Sequence, residues 1–252
     1  MKEREIYANL RCIPPVMIRI DGRKFKNTLN SLKCEKPYDQ IFASTMADAI
    51  ELFFKKGGLN PTLAYFFSDE ISFLFTEVPF NGRIEKLNSI IPSYLSSTLS
   101  ILLKLKNPIS LDSRVIPINK DLIMKYLSWR QDEAWRNCVN SYGYYTLLSN
   151  GYNKMDAVKF LKGKKEEDLH ELLFEYGINM NDVPTWQRRG IMIYRKPYEL
   201  LKNGNQKFFV YDKKINKKIS STRKTVVQDW EIPTFKSNEG DMLLNKLLKY
   251  EI

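Results

Sequence analysis

The sequence predicts an α+β fold, with a mostly antiparallel sheet and helices packed on one face of it. Three observations predict this class. Residues 16–21 alternate as a strand, residues 39–56 carry apolar side chains at helical spacing, and residues 63–75 hold two short apolar runs split by three polar residues. A strand, a helix, a hairpin and further helices in this order give a sheet with helices segregated to one side.

The first strand ends on a carboxylate. Val16, Ile18 and Ile20 lie on one face of it, and the opposite face ends in Asp21. Gly22 follows at once. A buried strand rarely ends on a charged side chain without a reason, so this end of the strand is a candidate site.

The next elements follow from spacing and from the residues that end them. Gly57 and Gly58 end the helix of residues 39–56, and Ser68, Asp69 and Glu70 interrupt the apolar runs as a tight hairpin turn would. Further helices are predicted at residues 84–106, 120–151, 154–162 and 166–176, and further strands at residues 113–118, 188–200 and 207–220. The last of these reads as a basic β-hairpin.

A polymerase-like palm is built in this element order. We therefore expect a palm-like catalytic domain over residues 1–150. Residues 151–252 are expected to form a helical and β-hairpin C-terminal region that packs on it, with the basic hairpin as an extension.

Composition narrows the chemistry. The chain has 252 residues and a net charge of +11, which favours a polyanionic partner such as nucleic acid, although a solvated basic surface has the same composition. Three widely spaced cysteines and no long apolar run predict a cytoplasmic protein without a membrane partner. His170 is the only histidine, so an enzyme of this composition relies on carboxylates, cations and a hard metal ion.

Asp21 and Asp69 are the candidate metal ligands. The first strand and the hairpin can lie side by side, which brings the two carboxylates together although they are 48 residues apart in sequence. Such a pair repels unless it binds a proton or a cation, and Mg²⁺ prefers one or two carboxylates together with water and phosphate oxygens. Asp-Gly and Ser-Asp-Glu are also common solvated turns, so the residues alone leave both readings open.

The residues around the pair suit a nucleotide. Gly22 lets a ligand approach the backbone, and its carbonyl oxygen is a third candidate ligand. Arg23, Lys24 and Lys26 can neutralise a triphosphate. Along the long helix, Arg130, Gln131, Arg136 and Asn137 are expected near one face, where they either reach phosphate or form an ordinary helix surface. Trp129 and Trp135 are expected in the core.

Four segments together carry a resemblance to a known family. In order along the chain they are "RIDGRKF", "FSDEISFLF", "YLSWRQDEAWRNCVN" and "WQRRGIMIYRK". The chain resembles the tRNA-histidine guanylyltransferase family over about residues 10–197. The resemblance implies a palm fold and a homo-oligomer, a dimer or a tetramer. It also implies addition of nucleotides to the 5′ end of tRNA, with growth in the 3′-to-5′ direction.

The resemblance also implies roles for residues. Asp21, the Gly22 carbonyl and Asp69 would hold two Mg²⁺ ions. The segment Asp21–Lys26, which includes Phe25, would line the nucleotide site together with Ser68 and Asp69. "KPYD" resembles a family element that places Lys36 and Asp39 near the triphosphate or the tRNA end. Further contacts to phosphate or tRNA are implied for Arg130, Arg136, Asn137, Arg188 and Arg189. ATP or GTP would activate a 5′-monophosphate, and the 3′-hydroxyl of an incoming nucleoside triphosphate would then attack the activated end.

Two departures point to one branch of the family. Lys26 stands where eukaryotic members have histidine, and "SWRQ" is followed by "DEAWRNCVN" instead of a segment with His-Ile-Asn-Asn. This pattern is similar to the archaeal and bacterial tRNA-histidine guanylyltransferase-like branch. It favours template-dependent addition, including repair of 5′-truncated tRNAs. Another palm-fold nucleotide enzyme, such as a cyclase, and a non-catalytic tRNA-binding protein are the competing hypotheses.

Overall fold

The computed structural model describes residues 4–199, 201–202, 206–207, 209–212, 217–220 and 222–249. The helices are α1 (Phe25–Ser31), α2 (Gln40–Lys56), α3 (Ile84–Leu102), α4 (Lys120–Ser149), α5 (Lys154–Leu161), α6 (Glu166–Glu175), α7 (Thr185–Arg189) and α8 (Asn238–Lys249). The strands are β1 (Val16–Gly22), β2 (Leu63–Phe67), β3 (Glu70–Phe75), β4 (Leu111–Pro117), β5 (Ile191–Glu199), β6 (Leu201–Lys202), β7 (Gln206–Lys207), β8 (Phe209–Asp212), β9 (Lys217–Ser220) and β10 (Thr222–Asp229). Within this part of the chain, no helix is both long and apolar enough to cross a membrane.

Six strands form one antiparallel sheet in the order β10-β5-β2-β3-β1-β4. β1 lies between β3 and β4, so α2 and α3 each connect two strands that run in the same direction with one strand between them. This is the split β-α-β arrangement of ferredoxin-like domains. It confirms the predicted α+β class and the antiparallel sheet.

Helices cover both faces of the sheet, whereas the sequence predicted helices on one face. On one face, Ile18 and Phe66 pack with Ile50 and Phe53 of α2 and with the buried side of α3. On the opposite face, a second cluster joins Met17 and its neighbours to the first half of α4 and to α8. Both faces of the sheet need to be covered because the strands carry apolar side chains on both sides. All five residues of β2, for example, are buried.

The C-terminal elements extend this core. β5 and β10 lengthen the sheet beyond β2, while α5 and α6 pack on the second half of α4 through small clusters that contain Cys138, Leu147 and Leu173. The predicted basic hairpin is present as the antiparallel pair β8 and β9, and its turn, residues 213–216, lies outside the described residues. Five elements, α1, α7, α8, β6 and β10, were not predicted from the sequence, and residues 188–189, predicted as the start of a strand, belong to α7.

Candidate active site at the end of β1

The structure brings Asp21 and Asp69 together at one end of the sheet. Asp21 is the last side chain of β1 before Gly22, and Asp69 lies in the two-residue turn between β2 and β3. β1 and β3 pair in the register Ile20↔Ile71, which places the turn beside Asp21. A Cβ atom at Gly22 would lie 2.5 Å from Oδ2 of Asp69, so the carboxylate rests directly against the glycine backbone.

The turn residues hold the two carboxylates in place. The Gly22 backbone N–H donates to Oδ1 of Asp21 at 2.9 Å, and the Ser68 hydroxyl donates to Oδ1 of Asp69 at 3.0 Å. Ser68 has a φ of 51°, a left-handed conformation that costs a residue other than glycine energy. Strain of this kind persists only where the surrounding structure fixes it.

The pair carries uncompensated negative charge. Burial raises the pKa of Asp69, and the neighbouring charge of Asp21 raises it further, while the hydrogen bond from Ser68 opposes the shift. A carboxylate with a raised pKa next to a second carboxylate gains from a nearby cation. The arrangement therefore favours a bound positive charge at this end of the sheet.

A third carboxylate in the same place is already neutralised. Glu70 accepts two hydrogen bonds of 2.7 Å from Arg130, one from Nε and one from Nη2, in a buried bidentate ion pair. Burial raises the pKa of Glu70, and Arg130 opposes this. Because Arg130 compensates Glu70, Asp21 and Asp69 are the two of these three carboxylates that remain available to a metal ion. Sequence reasoning did not assign Glu70, although an acid at the start of a buried strand signals a fixed partner.

These residues fit Mg²⁺ better than a transition metal. The described residues contain no cluster of three or more His, Cys, Asp or Glu side chains that could form a closed cage. Two carboxylates at the edge of a cavity match an ion that keeps waters and takes phosphate oxygens as further ligands. The donor set is entirely oxygen, as a hard cation requires.

Three exposed cations follow the carboxylate strand. Arg23 and Lys24 precede α1, Lys24 adopts a left-handed backbone with φ 58°, and Lys26 lies in the first turn of the helix. Within the described part of the chain, none of the three is in an ion pair. Phe25 between them is a core residue instead, only 2% exposed and packed near Phe42. Its burial fixes the start of α1 and leaves almost none of the ring accessible to a nucleotide.

A cavity of about 400 Å³ opens beside the carboxylate pair. Five residues predicted for the site line it: Lys26, Lys36, Asp39, Ser68 and Asn137. Aromatic rings form much of the remaining wall, contributed by Phe42, Phe67, Tyr144, Tyr145 and Trp186. A cavity lined by aromatic rings and by two lysines, Lys26 and Lys36, has the chemistry to hold a nucleotide.

Asp39 lines the cavity, but both of its carboxylate oxygens accept hydrogen bonds from backbone N–H groups. Its Oδ1 accepts from the N–H of Phe42 at 2.7 Å and caps α2, and its Oδ2 accepts from the N–H of Glu35 at 2.8 Å. Its carboxylate therefore holds the loop that carries Lys36. This makes Asp39 a positioning residue for Lys36 and the cavity wall.

The prediction that Arg130, Gln131, Arg136 and Asn137 share a helix face was wrong. Arg130 and Gln131 are each 5% exposed, whereas Arg136 is exposed and pairs with Glu133. The reason is geometric: at about 100° per residue, a separation of six places two side chains roughly 120° apart, and only a separation of seven realigns them. Asn137 therefore shares the side of Arg130 and reaches the cavity, and Arg136 does not.

Gln131 and the two arginines of α7 lie outside the cavity. The Gln131 amide donates to the carbonyls of Arg189 and Pro233 and accepts from the N–H of Phe235, so it joins α4 to two other segments. Arg188 donates from Nε to the Val183 carbonyl at 2.6 Å, and Arg189 donates to the Ile232 carbonyl at 3.3 Å. Both arginines line a separate cleft of about 270 Å³.

The two tryptophans of α4 also differ from expectation. Trp129 is 51% exposed and Trp135 is partly buried, where its indole N–H donates to Glu166 at 2.6 Å. His170 lies against the Trp135 ring, 5.5 Å between centroids, far along α4 from the carboxylates. The only histidine therefore belongs to the α4–α6 packing and not to the site.

Two family models and several relatives match this sequence. A model described as tRNAHis guanylyltransferase matches residues 1–119, and one described as the Thg1 C terminal domain matches residues 121–233. A probable tRNA(His) guanylyltransferase of Drosophila melanogaster is 34% identical over 195 residues, which is 72% of this chain and 67% of the fly protein. One from Dictyostelium discoideum is 32% identical and covers 73% of this chain and 76% of its own length.

Solved structures share the fold. A bacterial tRNA(His) guanylyltransferase-like protein in complex with ATP superimposes with a TM-score of 0.74 at 23% identity, over 98% of this chain and 96% of its own. The tRNA(His) guanylyltransferase of Saccharomyces cerevisiae gives a TM-score of 0.64 at 28% identity, over 71% and 84%. The bacterial fold thus also matches the C-terminal elements. With these matches and with Asp21 and Asp69 at the end of a palm-like sheet, the chain belongs to the tRNA(His) guanylyltransferase family of nucleotidyltransferases.

Proposed function

We propose that this chain adds nucleotides to the 5′ end of tRNA in the 3′-to-5′ direction, with the opposite strand as template. The products are repaired 5′ ends, tRNA-His with an added 5′ guanosine, or both. The observation that carries the proposal is the pair Asp21 and Asp69 beside a nucleotide-sized cavity. Relatives named tRNA(His) guanylyltransferase, and similar folds solved with ATP and with GTP, support tRNA and these nucleotides as substrates.

The proposal includes two Mg²⁺ ions at the carboxylates. Asp21, Asp69 and the Gly22 carbonyl would hold them, which the raised pKa of Asp69 supports. When bound, such ions lower the pKa of an attacking hydroxyl and stabilise the departing phosphate. Arg130 supports the same site indirectly, because it keeps the Glu70 charge from competing for the cation.

The chain's cations bind and orient the phosphates. Arg23, Lys24 and Lys26 lie in the open at the start of α1, where they neutralise a triphosphate. Lys36 lines the cavity and does the same there, and Asn137 offers an amide from the α4 side of the lining. Arg136, Arg188 and Arg189 lie farther out and contact the tRNA backbone.

The reaction needs positioning more than a protein nucleophile. In the first step the RNA 5′-monophosphate attacks the α-phosphorus of ATP or GTP and pyrophosphate leaves. In the second, the 3′-hydroxyl of an incoming triphosphate attacks the activated 5′ phosphorus and the nucleoside monophosphate leaves. Phosphoryl transfer of this kind depends on alignment and charge neutralisation. Burial raises the pKa of the Cys138 thiol to about 12, so this cysteine stays neutral and does not attack.

The proposal also includes the compartment, the subunit assembly and the division of roles along the chain. The chain acts in the cytoplasm as a homo-oligomer, a dimer or a tetramer. Residues 1–150 carry the chemistry, and residues 151–252, with the basic hairpin, contact the tRNA. Sedimentation equilibrium gives the subunit number directly.

The test uses tRNAs labelled at the 5′ end. Full-length and 5′-truncated transcripts are offered with each nucleoside triphosphate in Mg²⁺ or EDTA, using wild type and Asp21→Asn, Asp69→Asn and Asp121→Asn variants. Asp121 is an exposed acid at the start of α4 and serves as the control. We expect template-matched addition in wild type and Asp121→Asn, and none in the other two variants or in EDTA. Addition by Asp69→Asn at the wild-type rate would overturn the metal assignment.

Two added measurements, a reaction without RNA and a tRNA-binding titration at several salt concentrations, separate the cyclase-like and the non-catalytic hypotheses. A cyclase-like enzyme forms a product from the nucleoside triphosphate without RNA. A non-catalytic binding protein retains salt-sensitive tRNA binding and shows no Mg²⁺-dependent turnover.

A further inference from the structure

Trp129 is a large apolar side chain held in the open. Its ring is 51% exposed although it lies on α4, close to the sheet. The Arg130 guanidinium lies 4.4 Å from the ring centroid, the Arg19 guanidinium lies 5.7 Å from it, and the Tyr126 ring meets it edge-on at 5.8 Å. These contacts fix the orientation of the indole and still leave half of it to solvent.

The anchoring of the ring is unusually rigid for a surface side chain. Arg130 is itself buried and held by both oxygens of Glu70, and Tyr126 shares a hydrogen bond with Ser72 in the sheet. A ligand that stacks on Trp129 therefore orders little that is not already ordered. Pre-organisation of this kind lowers the entropic cost of binding.

Arg19 connects Trp129 to the strand that carries Asp21. Arg19 and Asp21 share one face of β1 and are separated by about 7 Å along the strand, and the Arg19 guanidinium lies 5.7 Å from the Trp129 ring centroid. This face carries α4, whose later residues Asn137 and Tyr144 line the cavity. Trp129 is not among the residues that line the cavity, so it offers a second, separate surface on the same helix.

The surface around Trp129 is suited to a polyanion. β4 is an edge strand of the sheet, and its Arg114 pairs directly with Arg19 of β1, so two cations face each other on the same side. Like charges in this position repel, and the neighbouring acids Glu70 and Asp112 offset this repulsion only in part, since Glu70 is already paired with Arg130. Arg114 is exposed, and its contact to Asp112, at 3.9 Å, is long.

We propose that Trp129 is the stacking platform for the terminal base pair at the 5′ end of the RNA. The inference rests on the proposed function, in which a nucleotide and an RNA end must meet at Asp21 and Asp69. The cavity takes the nucleotide, so the open aromatic face beside the cations is left for the RNA end. Stacking tolerates any base, because every base has a π face, and it suits an enzyme that extends ends of different sequence.

The experiment measures stacking without catalysis. A tRNA that lacks its first nucleotide carries 2-aminopurine at the new 5′ end, and its fluorescence is titrated with protein in the absence of nucleoside triphosphates. Wild type is expected to quench it. Trp129→Phe keeps a π face and should retain most of the quenching, whereas Trp129→Leu keeps the apolar bulk alone and should lose it. The Leu variant should also bind this RNA roughly 5- to 150-fold more weakly, the range of one base stack.

Controls keep the test independent of folding and of the proposed function. Thermal unfolding checks that both variants fold, and 2-aminopurine placed deep in the acceptor stem should respond equally to all three proteins. Equal quenching by Trp129→Leu and wild type overturns the inference. In the separate nucleotide-addition assay, a Trp129→Leu variant that raises the KM for the nucleotide and not for the tRNA also overturns it. A change of oligomeric state in Trp129→Leu with unchanged quenching assigns the ring to a protein contact and also overturns it. If wild type stacks the RNA end but adds no nucleotide, the proposed function fails and the stacking site stands.

Discussion

Replacement of Gly22 by alanine tests whether the carboxylate pair needs a bare backbone. The added Cβ would lie 2.5 Å from Oδ2 of Asp69 and 2.6 Å from Cγ of Phe25, well inside van der Waals contact. Gly22 is not among the glycines with positive φ, so alanine can adopt its backbone conformation. The conflict is therefore one of space alone.

The size of the effect follows from what can move. The nearest atom to the added methyl group is Cδ2 of Phe25, which is only 2% exposed, so the Phe25 ring has to shift together with the less enclosed Asp69 carboxylate. An extra methyl group in a packed site costs about 1–3 kcal/mol of unfolding free energy. A catalytic group misplaced by about 1 Å lowers the rate on the order of 10²-fold. Gly22→Ala should therefore lose more activity than stability.

Nucleotide addition to a 5′-truncated tRNA and urea unfolding measure the two effects on the same preparation. Gly143→Ala is the matched control, because its Cβ would meet Leu161 at an ordinary 3.4 Å inside α4. Alanine in place of glycine within a helix should stabilise the control by up to about 1 kcal/mol and leave addition unchanged. A Gly22→Ala variant with the wild-type rate would refute the close approach of Gly22 and Asp69 as a requirement of the site.

Three further substitutions probe the charges and the turn. Because burial and Asp21 raise the pKa of Asp69, its ionised form destabilises the metal-free fold above that pKa; Asp69→Asn should resist urea better than wild type at pH 7.5 in EDTA. The difference should shrink on acidification toward the ordinary value of 3.8, and a pH-independent difference would contradict this. Arg130→Met leaves Glu70 buried without its partner and should cost about 3–5 kcal/mol in urea unfolding, partly recovered by adding Glu70→Gln; no recovery would argue against the ion pair. Ser68→Gly relieves a φ of 51° and should melt above Ser68→Ala, which keeps the strain and loses the hydrogen bond to Asp69; equal melting would count against strain at this turn.

The carboxylate site was predictable because each half of it lies in a short, strongly patterned segment. Alternation in residues 16–21 fixes the face of Asp21, and the two apolar runs around Asp69 leave room only for a tight turn. Antiparallel pairing of neighbouring strands then brings the turn to the end of the first strand. Local pattern and the commonest topology suffice for that step.

Other elements could not be predicted from the sequence because tertiary contacts, and not local propensity, stabilise them. The helix α1 has only seven residues, begins after a left-handed Lys24 and contains two asparagines, so its intrinsic propensity is low. Burial of Phe25 against the core holds it in place. β10 reads as polar because it is an edge strand whose exposed positions carry charges, and it is ordered by pairing with β5.

The segment Trp129, Arg130 and Gln131 shows why residue types alone assign such a motif poorly. Consecutive helical residues point about 100° apart, so three polar or aromatic neighbours necessarily reach three different surroundings. Trp129 faces solvent beside Arg19, Arg130 pairs with Glu70, and Gln131 bonds to the backbone of Arg189 and Phe235. Hydropathy predicts the reverse burial, with the tryptophan inside and the arginine outside. Burying the arginine is stable only because an acid beside the carboxylate pair needs a permanent counter-charge, and that acid lies on a strand 60 residues away in sequence.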